Sequence, residues 1–220
     1  IINLKSKKMA SNEIRDPKND HLLTPENATL IIIDYQPVQV NSIASMVRQL
    51  LLNNIVGTAQ AAKLFNMPIV LSTVNVQTGH NKETVPQLKK HLDGIASYDR
   101  TTINSWEDKE FVEAVKATGR KKLIFTALWT EACLSFPVLD ALKEGYDVYI
   151  VVDAVGGTSK EAHDAAIRRM EQAGAISISV AQLFCELQRD WGRTETAAGF
   201  MNLFIQTGGT AGIQFSYDAN

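Results

Sequence analysis

Cysteine is scarce in this chain: Cys133 and Cys185 are the only two thiols in 220 residues. Two thiols so far apart make neither a disulfide framework nor zinc-ligand spacing. Long hydrophobic runs are missing too, and none approaches the about 20 residues that cross a bilayer. Lys5, Lys7 and Lys8 give a basic start, but no apolar stretch follows, so a signal peptide is not expected. An excess of one charge is also lacking. Lys and Arg number 22 against 24 Asp and Glu, a net charge of −2. No cluster of Lys or Arg gathers on one predicted face, which sets aside nucleic acid and anionic membrane as partners. The simplest location is the reducing cytoplasm, where a free thiolate survives.

What is present is an ordinary globular composition, 45% hydrophobic and 21% charged, with enough chain for one α/β domain. Strands are expected at Thr29 to Ile33, Ile69 to Val74, Tyr98 to Thr102, in the apolar run that opens at Leu123, at Asp147 to Val152 and at Ala175 to Val180. Helical spacing runs from Ser42 to Phe65. It recurs in a short helix from Glu83 to His91 and from Ser105 to a Gly119 stop. After Cys133 it runs to Gly145, and after Thr158 to Ala173. Two last helices cover about 181–190 and 194–204. Ser105 with Asp108, and Thr158 with Glu161, have capping-box spacing. Strands alternating with helices imply right-handed crossovers and a parallel sheet covered on both faces. Residues 1–27 read as an N-terminal extension, with Met9 as a natural start. Residues 28–206 read as the single domain, and 207–220 as a tail of little pattern that could reach a neighbouring subunit.

The run from Leu123 to Pro137 organises the rest. It opens as a doubly buried strand and ends as a helix, with Cys133 between. Pro137 is tolerated only in a first helical turn, so the helix should begin close to Cys133. A thiol there feels the helix dipole and loose N–H donors, and both favour thiolate. In the doubly wound order 3-2-1-4-5-6, strands one and four are neighbours at the switch point, where ligands bind. Asp34 ends strand one, Cys133 follows strand four, and Arg100 lies near the end of strand three. A thiol nucleophile needs a base and a positive neighbour. Asp34 supplies the base if burial lifts its pKa; Arg100 can only hold Asp34 and favour anions. Backbone N–H groups of Trp129 and Cys133 could cradle an oxyanion, worth about 3 kcal/mol per donor. Gln36 reads equally well as a substrate donor or a turn stabiliser, and Trp129 as core or pocket wall. Ile103 and Phe136 read as core, Cys185 as packing, His80 and His91 as surface, and His163 as solvent-facing or structural.

These residues carry a resemblance. Asp34-Tyr35-Gln36 after an apolar strand, Arg100 six residues before Trp106, and Ala127-Leu128-Trp129-Thr130-Glu131-Ala132-Cys133 look like the isochorismatase-like cysteine hydrolases. Asn104 to Asp108, Phe111 to Gly119 and Cys185 to Trp191 are most similar to the YcaC-like branch. The resemblance spans about residues 20–205. It implies a three-layer αβα sandwich on a six-stranded parallel sheet and an Asp-Lys-Cys triad. Asp34 and Cys133 match that triad, but Arg100 stands in the lysine's place and cannot exchange protons. A cis peptide at Leu128–Trp129 is implied as well. Family nicotinamidases bind a metal through Asp-x-His after strand two; here Val74-Asn75-Val76 offers no such set, so neither metal nor cofactor is expected. The expected activity is hydrolysis of a small amide or related C–N bond, with a small-molecule substrate. The rivals are vinyl ether cleavage and a non-catalytic assembly or binding protein. The branch also implies a homo-oligomer, with an octamer as candidate size.

Overall fold

In the computed structural model, residues 15–218 are described; Met9 and the lysines before it lie outside them. Six parallel strands form one sheet in the order β3-β2-β1-β4-β5-β6. They are β1 Ala28–Ile33, β2 Ile69–Val74, β3 Ser97–Arg100, β4 Lys122–Ala127, β5 Asp147–Val151 and β6 Ile176–Ile178. Every residue of β1 and β4 is buried, as expected of central parallel strands covered on both sides. Alternation divides them between two cores. Leu30, Ile32 and Ile124 face one side, and Ile31, Ile33, Leu123 and Phe125 the other.

Helices fill the outer layers: α1 Pro37–Asn41, α2 Arg48–Leu64, α3 Pro86–Lys89, α4 Lys109–Ala117 and α5 Ser135–Lys143. They continue with α6 Lys160–Gln172, α7 Val180–Gln188, α8 Thr194–Thr207 and α9 Thr210–Asp218. The first core packs under α2, α7 and α8, and the second under α4, α5 and α6. The αβα sandwich and the strand order are those expected from the sequence.

Several boundaries differ from expectation, each for a local reason. The stretch before α2 holds a separate short helix, because Pro37 sits at a first helical position and restarts the chain there. Ser105 is not the cap of α4. Asn104 caps a 3-10 turn at Ser105–Glu107, and the Asp108 side chain accepts from the Phe111 N–H. Ser159, not Thr158, caps α6 by accepting from the Ala162 N–H. Thr158 instead donates to Glu131. The region after Gly208 is not patternless: α9 packs back on α8, close enough that a Cβ on Gly212 would lie 2.0 Å from the Phe204 carbonyl oxygen. Ile103 is 63% exposed rather than core, and Cys185 is exposed rather than packed.

Candidate active site

β1 and β4 pair in register, Ile33 against Ala127, so the segments leaving their carboxyl ends start side by side. Beyond Ile33 the chain turns sharply. Asp34 has φ +61, a left-handed conformation that Asp tolerates better than most residues. Gln36 is extended and Pro37 opens α1, as the proline requires. Beyond Ala127, residues Thr130–Leu134 form a π-helical turn that runs into α5. The Leu134 N–H reaches back five residues to the Trp129 carbonyl, at 3.1 Å. Pro137 falls in the first turn of α5. The helical path thus begins at Thr130, and Cys133 lies in its first turn. The Leu128–Trp129 peptide is cis.

Arg100, at the end of β3, reaches under β2 to Asp34. Its two terminal nitrogens donate to the two carboxylate oxygens at 2.8 and 2.7 Å. This fork–fork geometry fixes the carboxylate plane as a lysine could not. The same nitrogens donate to Ser72 Oγ and the Thr73 carbonyl, both at 3.0 Å, and to the Ile103 carbonyl at 3.2 Å. Both side chains of the pair are 0% exposed. Ser72 is a partner that sequence reasoning missed; its signal was the Ser72-Thr73 polar pair within the otherwise apolar run of β2. Asp34, Arg100 and the Trp129 N–H all lie near enough to the Cys133 sulfur to act on its ionisation. Topology therefore brings Asp34, Arg100 and Cys133 together.

The electrostatics correct one expectation. Burial pushes the Cys133 thiol up to about 12, and the adjacent Asp34 carboxylate adds to that rise. Arg100 and the Trp129 N–H oppose it without prevailing. Desolvation and a neighbouring anion outweigh the helix terminus, so the resting nucleophile candidate is a thiol, not a thiolate. Burial also raises the Asp34 pKa, against the pull of Arg100. Arg100 loses by burial but gains more from Asp34, so its charge is secured. The result is a neutral thiol beside an ion pair whose carboxylate is made more basic by burial.

Gln36 is also resolved. Its amide donates to the Val74 and Lys82 carbonyls at 3.0 and 2.6 Å and accepts from the Val74 N–H at 2.9 Å. Both donors are spent on backbone, so the side chain staples the β1 and β2 turns and has none left for a substrate. Trp129 is half-buried, with its indole N–H on Ser42 Oγ at 2.7 Å. The nucleophile turn is braced from behind by contacts not anticipated from sequence. Thr130 Oγ1 and His163 Nδ1 lie 2.9 Å apart. Glu131 accepts from the Thr158 N–H and hydroxyl. A Cβ on Gly157 would lie 2.6 Å from Glu131 Oε2. His163 is thus structural, and His80 is exposed. Among the described residues, no group of three or more His, Cys, Asp or Glu could hold a metal ion, and no helix is long and apolar enough to cross a membrane.

An isochorismatase domain matches residues 28–182, the span that holds all three groups. The chain belongs to the isochorismatase family. Within it, the chain falls in the YcaC-like branch. The "Probable hydrolase YcaC" of Escherichia coli is 36% identical over 184 residues, covering 83% of this chain and 85% of that one. Two solved YcaC structures superpose closely. The Pseudomonas aeruginosa protein, with hexane-2,5-diol and covalent acrylamide, gives a TM-score of 0.84 at 32% identity. The Escherichia coli protein, described as an octameric hydrolase of unknown specificity, gives 0.83 at 35%. Each covers 91% of this chain and is itself 98% covered.

Proposed function

We propose that this protein is a cysteine hydrolase that cleaves a small amide or related C–N bond through a thioester. The observation that carries the reading is a Cys133 thiol beside a buried carboxylate that Arg100 grips by both oxygens. The sulfur attacks the carbonyl carbon as its proton passes to Asp34, so free thiolate never accumulates. The Trp129 and Cys133 N–H groups take the developing oxyanion. Asp34 then hands the proton to the leaving nitrogen as the C–N bond breaks. A water gives its proton to Asp34 and attacks the thioester. The acid departs, and the proton returns to sulfur. Arg100 makes no proton transfer; it is a positioning residue that fixes the carboxylate and balances its charge. The lysine chemistry of relatives is not needed, since one carboxylate carries the proton in both half-reactions.

A small-molecule substrate fits this reading, as does assembly with copies of the chain. Val38, Val47 and Ile103 leave large apolar side chains exposed on a single protomer, and Escherichia coli YcaC is described as octameric. A second reading, a non-catalytic binding or assembly protein, draws on the protonated state of Cys133. A screen of small amides for ammonia release, with wild type and Cys133→Ala side by side, separates the two. Release by wild type alone supports the hydrolase. Equal release from both proteins removes Cys133 from the chemistry, and none from either favours the second reading.

A further inference from the structure

A cavity of about 260 Å³ lies on the other face of the sheet from Cys133, just past the carboxyl end of β5. It sits between α2, α7 and α8. Leu50, Val180, Phe184 and Phe204 give it an apolar wall, and Asn54 and Asp153 bring polar side chains to it. Among the described residues, none of those lining it is a cation. The Val180 N–H donates to Asp153 Oδ1 at 2.8 Å, which already answers the positive end of α7. Burial raises the Asp153 pKa. Among the described residues only the Val180 N–H and its own N–H pull it back, and no charged side chain acts on it. A carboxylate has about four acceptor positions, so these two backbone donors leave some of them open. Asn54 is 6% exposed. Its Nδ2 donates to the Asp153 carbonyl at 2.7 Å, which settles how the amide is turned. Its Oδ1 then has no donor among the described residues, yet it is not one of the polar atoms sealed from solvent. In a side chain buried to that degree, the cavity is the space left to that oxygen. Two under-used acceptors, one of them charged, thus share an apolar chamber. A carboxylate in such a place is costly without a counter-ion. An ammonium brings three donors and a positive charge; a second anion would be repelled.

We propose that this cavity binds a small primary amine, with its ammonium donating to Asp153 and Asn54 and its apolar body between Leu50, Phe184 and Phe204. The volume equals that of roughly nine waters, so the body is a single ring or a short alkyl chain. The site is independent of any role for Cys133. Benzylamine and butylamine are titrated into the full chain by isothermal calorimetry. Benzyl alcohol, butanol and benzoate serve as neutral and anionic controls of matching shape. At least one amine should saturate a site in the millimolar range or tighter, and the controls should bind at least about tenfold more weakly. Asp153→Asn keeps an acceptor for the Val180 N–H but loses the charge, and should weaken amine binding at least about tenfold. Ala181→Phe puts a ring on the cavity wall at an exposed helical position and should abolish binding. Melting of each variant is recorded first. No saturable binding of either amine to the wild type overturns the proposal, as does equal affinity for an amine and its matching alcohol. Amine affinity left unchanged in either folded variant also overturns it, since the amine would then bind elsewhere. If Asp153→Asn does not fold, the wild-type comparison and Ala181→Phe decide.

Discussion

Asp34→Asn gives the sharpest test of how the three groups work together, because it should move two measurements in opposite directions. The side chain keeps its size but loses its charge. The thiol then loses the anion that helps hold it protonated, while the Arg100 guanidinium beside it loses its counter-ion. Charges at such range each shift a pKa by about 1–3 units, so Cys133 should fall from about 12 by roughly 2 units or more. Alkylation at pH 8 tracks thiolate and should rise about 100-fold. Turnover should drop by about 10²–10⁴-fold, because the proton has lost its acceptor. Unpairing a buried guanidinium costs about 3 kcal/mol or more, so melting of the variant is recorded first and labelling done well below its midpoint. Iodoacetamide labelling read by mass spectrometry, with ammonia release on any amide the wild type cleaves, completes the comparison. Slower or unchanged labelling of Cys133 in folded Asp34→Asn would refute the reasoning. It would mean that Asp34 generates thiolate in the resting protein rather than receiving the proton during attack.

Other outcomes follow from the same geometry. Wild-type labelling of Cys133 should climb about tenfold per pH unit from pH 7 to 10 without a plateau, since the thiol is held up to about 12; a plateau below pH 8 would contradict this. Because the folded pKa lies above the ordinary value of 9.0, the folded state binds this proton more tightly, so its contribution to stability is lost as pH rises from about 9 toward 12. Urea unfolding of Cys133→Ala should show less alkaline loss than wild type. Arg100→Lys breaks the two-pronged grip on Asp34 and should lower both the melting temperature and kcat; a gain in activity would mark the arginine as a degraded lysine. Gln36→Leu strands the Val74 and Lys82 backbone groups and should cost about 2–3 kcal/mol in urea unfolding. Gly157→Ala drives a methyl into Glu131 Oε2 and the His163 backbone, and should lower kcat with a stability loss of about 1–3 kcal/mol.

The strands were legible because doubly buried parallel strands have a plain signature: β2 was read to the residue and β1 within one. That placement, with the crossover rule, sufficed to bring Asp34, Arg100 and Cys133 to one crevice. Cap positions were harder to read. Asn104-Ser105 and Thr158-Ser159 each set two cap-competent side chains in a row, and the choice depends on where the chain leaves the sheet. The π-turn leaves no mark in apolar spacing over five residues. The exposure of Cys185 and Ile103 depends on which way a loop or helix face turns, which composition does not encode. The ionisation of Cys133 was misread because the helix terminus is a local feature visible in sequence. The depth of burial and the distance to Asp34 are tertiary facts, and here they outweigh it.

Rapid-quench mass spectrometry of the wild-type protein turning over an amide tests the central claim most directly. The account predicts an acyl group on the Cys133 peptide during the steady state, longer-lived in Asp34→Asn, and no such adduct or turnover in Cys133→Ala. Turnover that persists in Cys133→Ala, with no acyl group ever found on the wild-type cysteine, would contradict it.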